Sequence, residues 1–144
     1  MNQKLLRHIF KGLTNPKNKS CIKVDKDIHY IMPDMACAVR IEATDNPFIP
    51  GKAFDAAPDG VDRMFNKGAD AVKLLLTGEL TVDGCHDART LRTKDGREIY
   101  IDNNYLKFLS DEQQLSLYLD DKFVKSIRDD GIVEAVIAPL RSRH

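Results

Sequence analysis

Residues 3–13 place Leu5, Leu6, Ile9, Phe10 and Leu13 on one face of a helix, with Lys4, Arg7, His8 and Lys11 opposite. The spacing predicts a short basic amphipathic helix, ended by Asn15-Pro16. The pattern then shortens to a period of two. Strands are expected at Ser20–Val24 and Ile28–Met32 around a turn at Asp25-Lys26-Asp27, and at Ala36–Ala43 after the break Pro33-Asp34. A polar loop, Thr44–Pro50, leads to a helical piece at Lys52–Ala57. Val61, Met64 and Phe65 recur at helical spacing after Pro58. Val72–Leu76 reads as a strand that turns at Thr77-Gly78-Glu79 into Leu80–Val82, followed by a loop at Asp83–Ala88. Arg89–Thr93 and Glu98–Asp102 flank Lys94-Asp95-Gly96-Arg97, a hairpin turn in which glycine supplies the positive φ. A second short helix, capped by Asn103 or Asn104, carries Tyr105, Leu106, Phe108 and Leu109. Leu115–Leu119 alternates cleanly. Phe123–Arg128 and Ile132–Ala138 form the last strands around Asp129-Asp130-Gly131, and Pro139 ends the pattern.

Strands follow one another without regular βαβ alternation. The expected class is therefore α+β, a largely antiparallel sheet with two packed helices and an inserted helical segment. No internal repeat is read. The length, 144 residues, suits one domain over 1–144, with 44–96 an insertion or a stretched region. A content of 42% hydrophobic and 31% charged residues is that of a globular chain. No apolar run reaches the length of a bilayer span, and the first residues lack the apolar core of a secretion signal, so a cytoplasmic setting without a membrane partner is expected. In that setting Cys21, Cys37 and Cys85 are free thiols, with Cys21 and Cys37 packed as small hydrophobes.

Charge changes the picture more than composition does. Lys+Arg and Asp+Glu both number 22, which argues against a generic basic nucleic-acid binder. Yet residues 1–24 hold Lys4, Arg7, Lys11, Lys17, Lys19 and Lys23 and no acidic residue, so a polyanion can be held at that end of a neutral chain. The competing reading of the same helix is an ordinary solvated surface face.

The chain offers little to catalysis. It contains no phosphate-cradling glycine loop, no zinc-protease motif and no nucleophile elbow. Cys85-His86-Asp87 sets a thiol, an imidazole and a carboxylate side by side, but adjacent residues rarely converge on one atom. A metal there would need His29 as a further ligand at no recognisable spacing, and His29 reads as a half-buried ring in a strand. No catalytic residue, metal or cofactor is therefore expected.

The segment Glu98-Ile99-Tyr100-Ile101-Asp102-Asn103-Asn104-Tyr105-Leu106-Lys107-Phe108-Leu109 resembles the part of bacterial sliding clamps, the DNA polymerase III beta subunit family, where a strand runs into a helix. The strands at 115–120 and 123–128 follow in matching order. Val136-Ile137-Ala138-Pro139-Leu140-Arg141 is similar to the closing segment of that family. Residues 3–43, a helix followed by strands, have the order with which a clamp repeat opens. The resemblance covers 1–43 and 97–141, while 44–96 lacks a clear counterpart. It implies a DNA-clamp-like fold whose helices turn basic side chains to the phosphate backbone without reading sequence. Lys4, Arg7, His8 and Lys11, with Lys107 on the second helix, would fill those positions. It also implies a partner-peptide groove beside Pro139, Leu140 and Arg141. The implied partners are duplex DNA, replication proteins and further copies of the chain, because clamp rings close with several such repeats. The alternative function is a protein–protein interaction module of the same fold without DNA affinity.

Overall fold

The computed structural model describes residues 3–14, 20–48, 54–83, 86–109 and 116–140. Helix α1 (Gln3–Thr14) is followed by β1 (Cys21–Asp25), β2 (Ile28–Asp34) and β3 (Cys37–Glu42). Strand β4 (Asp55–Ala56) and a 3-10 helix, Val61–Phe65, come next. Then follow β5 (Val72–Asp83), β6 (His86–Thr93), β7 (Glu98–Asp102), a 3-10 helix Asn103–Phe108, β8 (Leu117–Asp120), β9 (Phe123–Ile127) and β10 (Val133–Ile137). The strands form one sheet in the order β4-β1-β2-β3-β10-β9-β8-β5-β6-β7, antiparallel except where β4 pairs with β1. The α+β class follows directly.

Period-two alternation assigns the strand residues to two cores. Ile31, Cys37, Val39, Leu117, Leu119, Val124, Ala135 and Ile137 face one side, where Leu5 and Ile9 of α1 and Leu106 of the second 3-10 helix join them. Met32, Ala38, Ile127, Val133 and Val136 face the other, covered by Val61 and Phe65. The sheet curls around the first core. The N–H of Leu140, just beyond β10, donates to the carbonyl of Tyr100 in β7 at 2.8 Å, although four strands separate β10 from β7 in the sheet. On the outer face, the buried Lys125 ammonium donates to Asp120 at 2.9 Å and to the Asn66 carbonyl at 2.7 Å, while Gly68 N–H donates to Asp120 at 2.8 Å. This buried pair pins the 66–68 segment against β8 and β9.

Several expectations are corrected. Phe10 is 59% exposed, because the faces of Leu5 and Ile9 fill the space under α1. Strand β2 continues through Pro33 instead of breaking there, since the pairing shifts register between Ile31 and Asp34 and no ladder donor is needed at the proline. Of the expected helical piece 52–57, residues 52–53 lie outside the described residues, and Asp55–Ala56 is a strand. Thr77-Gly78-Glu79 is a bulge within a continuous β5 rather than a turn. Asp87 and Ala88, expected in a loop, pair with Val82 and Thr81. Residues 94–97 do turn a hairpin, with Gly96 at φ 93°. The second helix is a single short 3-10 element, begun not by Asn103 or Asn104 but by the Asp102 carboxylate, which accepts the Asn104 N–H at 2.9 Å.

The topology contains a repeat that the sequence pattern does not announce. Helix α1 leads into the meander β1–β2–β3, and the 3-10 helix Asn103–Phe108 precedes the meander β8–β9–β10. The third strands, β3 and β10, pair antiparallel, as a two-fold relation between the units requires. Local details repeat too. Lys26 and Asp121 open the two hairpin turns at φ 54° and 57°. Asp34 and Asp130 each accept the N–H two residues on, starting the second turn of each meander.

Candidate functional site

Leu5 and Ile9, four residues apart, fix the roll of α1 by entering the core. Lys4, Arg7 and Lys11 are thereby left on the exposed side. The 3-10 helix Asn103–Phe108 packs alongside α1, buries Leu106 and leaves Lys107 exposed. An open cleft of about 490 Å³ lies between the two elements. Lys4, Arg7, His8 and Lys11 line it from α1, and Lys107 from the other side. All five basic positions expected from the sequence are thus brought to one site. Arg7 and Lys11 make no ion pair with a carboxylate among the described residues. Lys107 Nζ donates to Asn104 Oδ1 at 3.3 Å.

His8 differs from its neighbours. It is half-buried, its Nε2 lies 2.9 Å from Asp34 Oδ2, and its ring lies 4.9 Å from that of Phe108 with a tilt of 36°. An ionised carboxylate only accepts, so Nε2 carries the proton in that bond. Asp34 also accepts from the Tyr105 hydroxyl at 3.0 Å to each oxygen and from Ala36 N–H at 2.8 Å. Burial works to raise the Asp34 carboxyl, but the bonds from His8, Ala36 and Tyr105 outweigh it and hold it below the ordinary carboxylate range. Burial first, then the adjacent Asp34 charge, push the Tyr105 hydroxyl above its ordinary value, so it stays a donor. Asp34 therefore joins α1, the end of β2 and the second 3-10 helix at one point, and that junction sets the shape of the cleft.

Sequence reasoning missed the rest of the lining. Tyr105 and Phe108, three residues apart, form an aromatic side, with rings 5.9 Å apart and edge-on. Asp102 and Asn104 supply a polar end. The signal lies in Asn103–Phe108, where Tyr105, Lys107 and Phe108 interleave aromatic and basic side chains, although spacing alone gives those aromatics to the core. A smaller cleft of about 330 Å³ adjoins the first. His8, Lys11 and Tyr105 line both, and Asp34 and the exposed Met35 line the smaller one.

The other candidates fall elsewhere. Pro139 and Leu140 are half-buried, line neither cleft and run toward β7, while Arg141 lies outside the described residues. Cys85 also lies outside them. His29 is buried in β2, with Nδ1 3.0 Å from the Asn46 amide. Cys37 is buried, which pushes its thiol up beyond the ordinary range, whereas Cys21 is half-buried. Among the described residues, no three His, Cys, Asp or Glu side chains gather to hold a metal, and no helix is long and apolar enough to cross a membrane. Comparison with known proteins returned no matching family model, no matching curated protein and no matching solved structure.

Proposed function

We propose that this chain is a non-enzymatic, DNA-clamp-like protein that holds the phosphate backbone of DNA in the cleft between α1 and the 3-10 helix Asn103–Phe108. The observation that carries the reading is the convergence of Lys4, Arg7 and Lys11 with Lys107, from segments about a hundred residues apart, on one open cleft in a chain of zero net charge. Two helix-then-meander units, with both helical elements on the same face of one sheet, support the clamp-like part of the reading. Contacts of this kind work by releasing counterions and carry no sequence information. Four cations give a slope of log affinity against log salt of roughly −2 to −4, at about −0.9 per phosphate neutralised. A single subunit then binds in the ordinary non-specific range, and joining several subunits multiplies the contacts through effective concentration.

Fluorescence anisotropy with labelled DNA across a salt series tests this. The double variant Arg7→Glu/Lys11→Glu should weaken binding by at least about tenfold and flatten the slope by about two, because each lost contact removes close to one released counterion. Both side chains are exposed, so the urea midpoint should stay put. Absence of any wild-type binding at low salt, or an unchanged affinity in the variant, would refute the proposal. A protein-docking role would then take its place. The exposed Leu75, Leu80 and Val82 on β5 are the observation that favours that second reading.

A further inference from the structure

A surface that only tracks phosphates needs cations and nothing else. This cleft has more. Phe108 and Tyr105 stand on the side opposite the α1 cations, both only partly buried although they pack on the core. Phe108 is held from one side by the His8 ring, and Tyr105 by its hydroxyl on Asp34, so neither ring is free to turn away. Asn104, exposed at the same end, can donate to or accept from a base edge, beside Asp102, whose buried carboxylate accepts the Asn104 N–H. Cations on one side, pinned aromatic rings on the other and an amide at the end match a nucleotide whose base has left its stack. A continuous duplex presents no such base.

We infer that the cleft takes an unstacked nucleotide of a single strand, with its phosphates on Lys4, Arg7 and Lys11 and its base against Phe108 and Tyr105. This rests on the nucleic-acid reading proposed above and narrows the ligand from duplex backbone to single-stranded DNA. Stacking one base on an aromatic ring changes affinity by about 5- to 150-fold, so the preference is measurable.

The experiment compares an oligothymidylate of about 12 nucleotides, within the length range of single-strand sites, with a duplex of equal length at the same ionic strength. The expected result is that the single strand binds at least about fivefold more tightly. Phe108→Leu keeps an apolar side chain of similar bulk against the core and removes the ring. It should abolish most of that preference through weaker single-strand binding, with circular dichroism showing that the fold is kept. Equal or tighter duplex binding overturns the inference, and so does a Phe108→Leu protein that keeps the wild-type preference. Failure of both probes to bind at low salt overturns the nucleic-acid reading along with it. Duplex binding without a single-strand preference overturns this inference alone.

Discussion

Asp34 should be the residue on which the geometry of the cleft depends. Replacing it with alanine removes one acceptor from three donors: His8 Nε2 at 2.9 Å, the Tyr105 hydroxyl at 3.0 Å and the Ala36 N–H at 2.8 Å. A hydrogen bond to a charged group contributes about 1.5–3 kcal/mol. The Asp34 and His8 side chains remain 23% and 36% exposed, so water replaces part of what is lost and the lower end applies. Three donors together then give a loss of about 2–4 kcal/mol, short of their sum because they share one carboxylate. Urea denaturation at neutral pH measures it. Asp34→Asn should lie between wild type and Asp34→Ala, since its single carbonyl can still accept the Ala36 N–H. Asp130→Ala, the corresponding change in the exposed turn of the second meander, should cost much less. The sign with pH follows from the lowered carboxyl. Its contribution is complete above the ordinary aspartate value of about 3.9 and fades as pH falls through the lower folded value. The gap between wild type and Asp34→Ala should therefore persist at about pH 5 and close in stronger acid. A loss below about 1 kcal/mol at neutral pH, or a gap that widens with acid, would refute the reasoning.

Three further outcomes concern the scaffold. Leu117 is 1% exposed in the inner core, so Leu117→Ala should cost about 2–5 kcal/mol in denaturant melts. A Cβ on Gly68 would sit 2.6 Å from Asp120 Oδ1, so Gly68→Ala should lower stability by about 1–3 kcal/mol, whereas Gly78→Ala, with open space around it, should be close to neutral in the same thermal melts. Lys125→Met leaves the Asp120 carboxylate buried without its ammonium partner and should cost about 3–5 kcal/mol, with Lys125→Met/Asp120→Asn recovering part of it, as read by urea unfolding.

The sequence made most of the sheet legible because alternation needs no partner to be seen. Cys37, Val39, Leu117 and Leu119 point inward as their period demands. The misreadings have one physical source, which is long-range pairing overriding local punctuation. Pro33 looked like a stop, yet a bulge carries β2 past it. Thr77-Gly78-Glu79 looked like a turn, yet pairing with β6 on both sides turns it into an irregularity within one strand. Asp55–Ala56 had helical neighbours in sequence and became a strand beside β1. At the site, the exposed cations were legible from helical periodicity alone. Asp34, Tyr105 and Phe108 were not, because their roles depend on contacts across 26 and 71 residues of chain, which no local window contains.

The duplicated topology leaves a faint trace in the sequence. The first hairpins of the two meanders correspond at an offset of 95, Asp25 with Asp120 and Lys26 with Asp121, while Asp34 and Asp130, which start the second turns, lie 96 apart. Lys11 from the first unit and Lys107 from the second both line the cleft. The site therefore straddles the relation between the two units, with a cation from each. The units differ at the cleft. The first has a 12-residue α-helix long enough to expose Lys4, Arg7 and Lys11 along one side. The second has only six 3-10 residues, which bring Tyr105 and Phe108 to the opposite wall. The corresponding aspartates diverge in the same way. Asp130 pairs with Arg128 on the surface, while Asp34 reaches across to His8 and Tyr105. A symmetric pair of units would give a cleft with the same chemistry on both sides. The asymmetry gives one wall of cations and one in which Lys107 stands beside two aromatic rings, the arrangement on which the proposed nucleotide site rests.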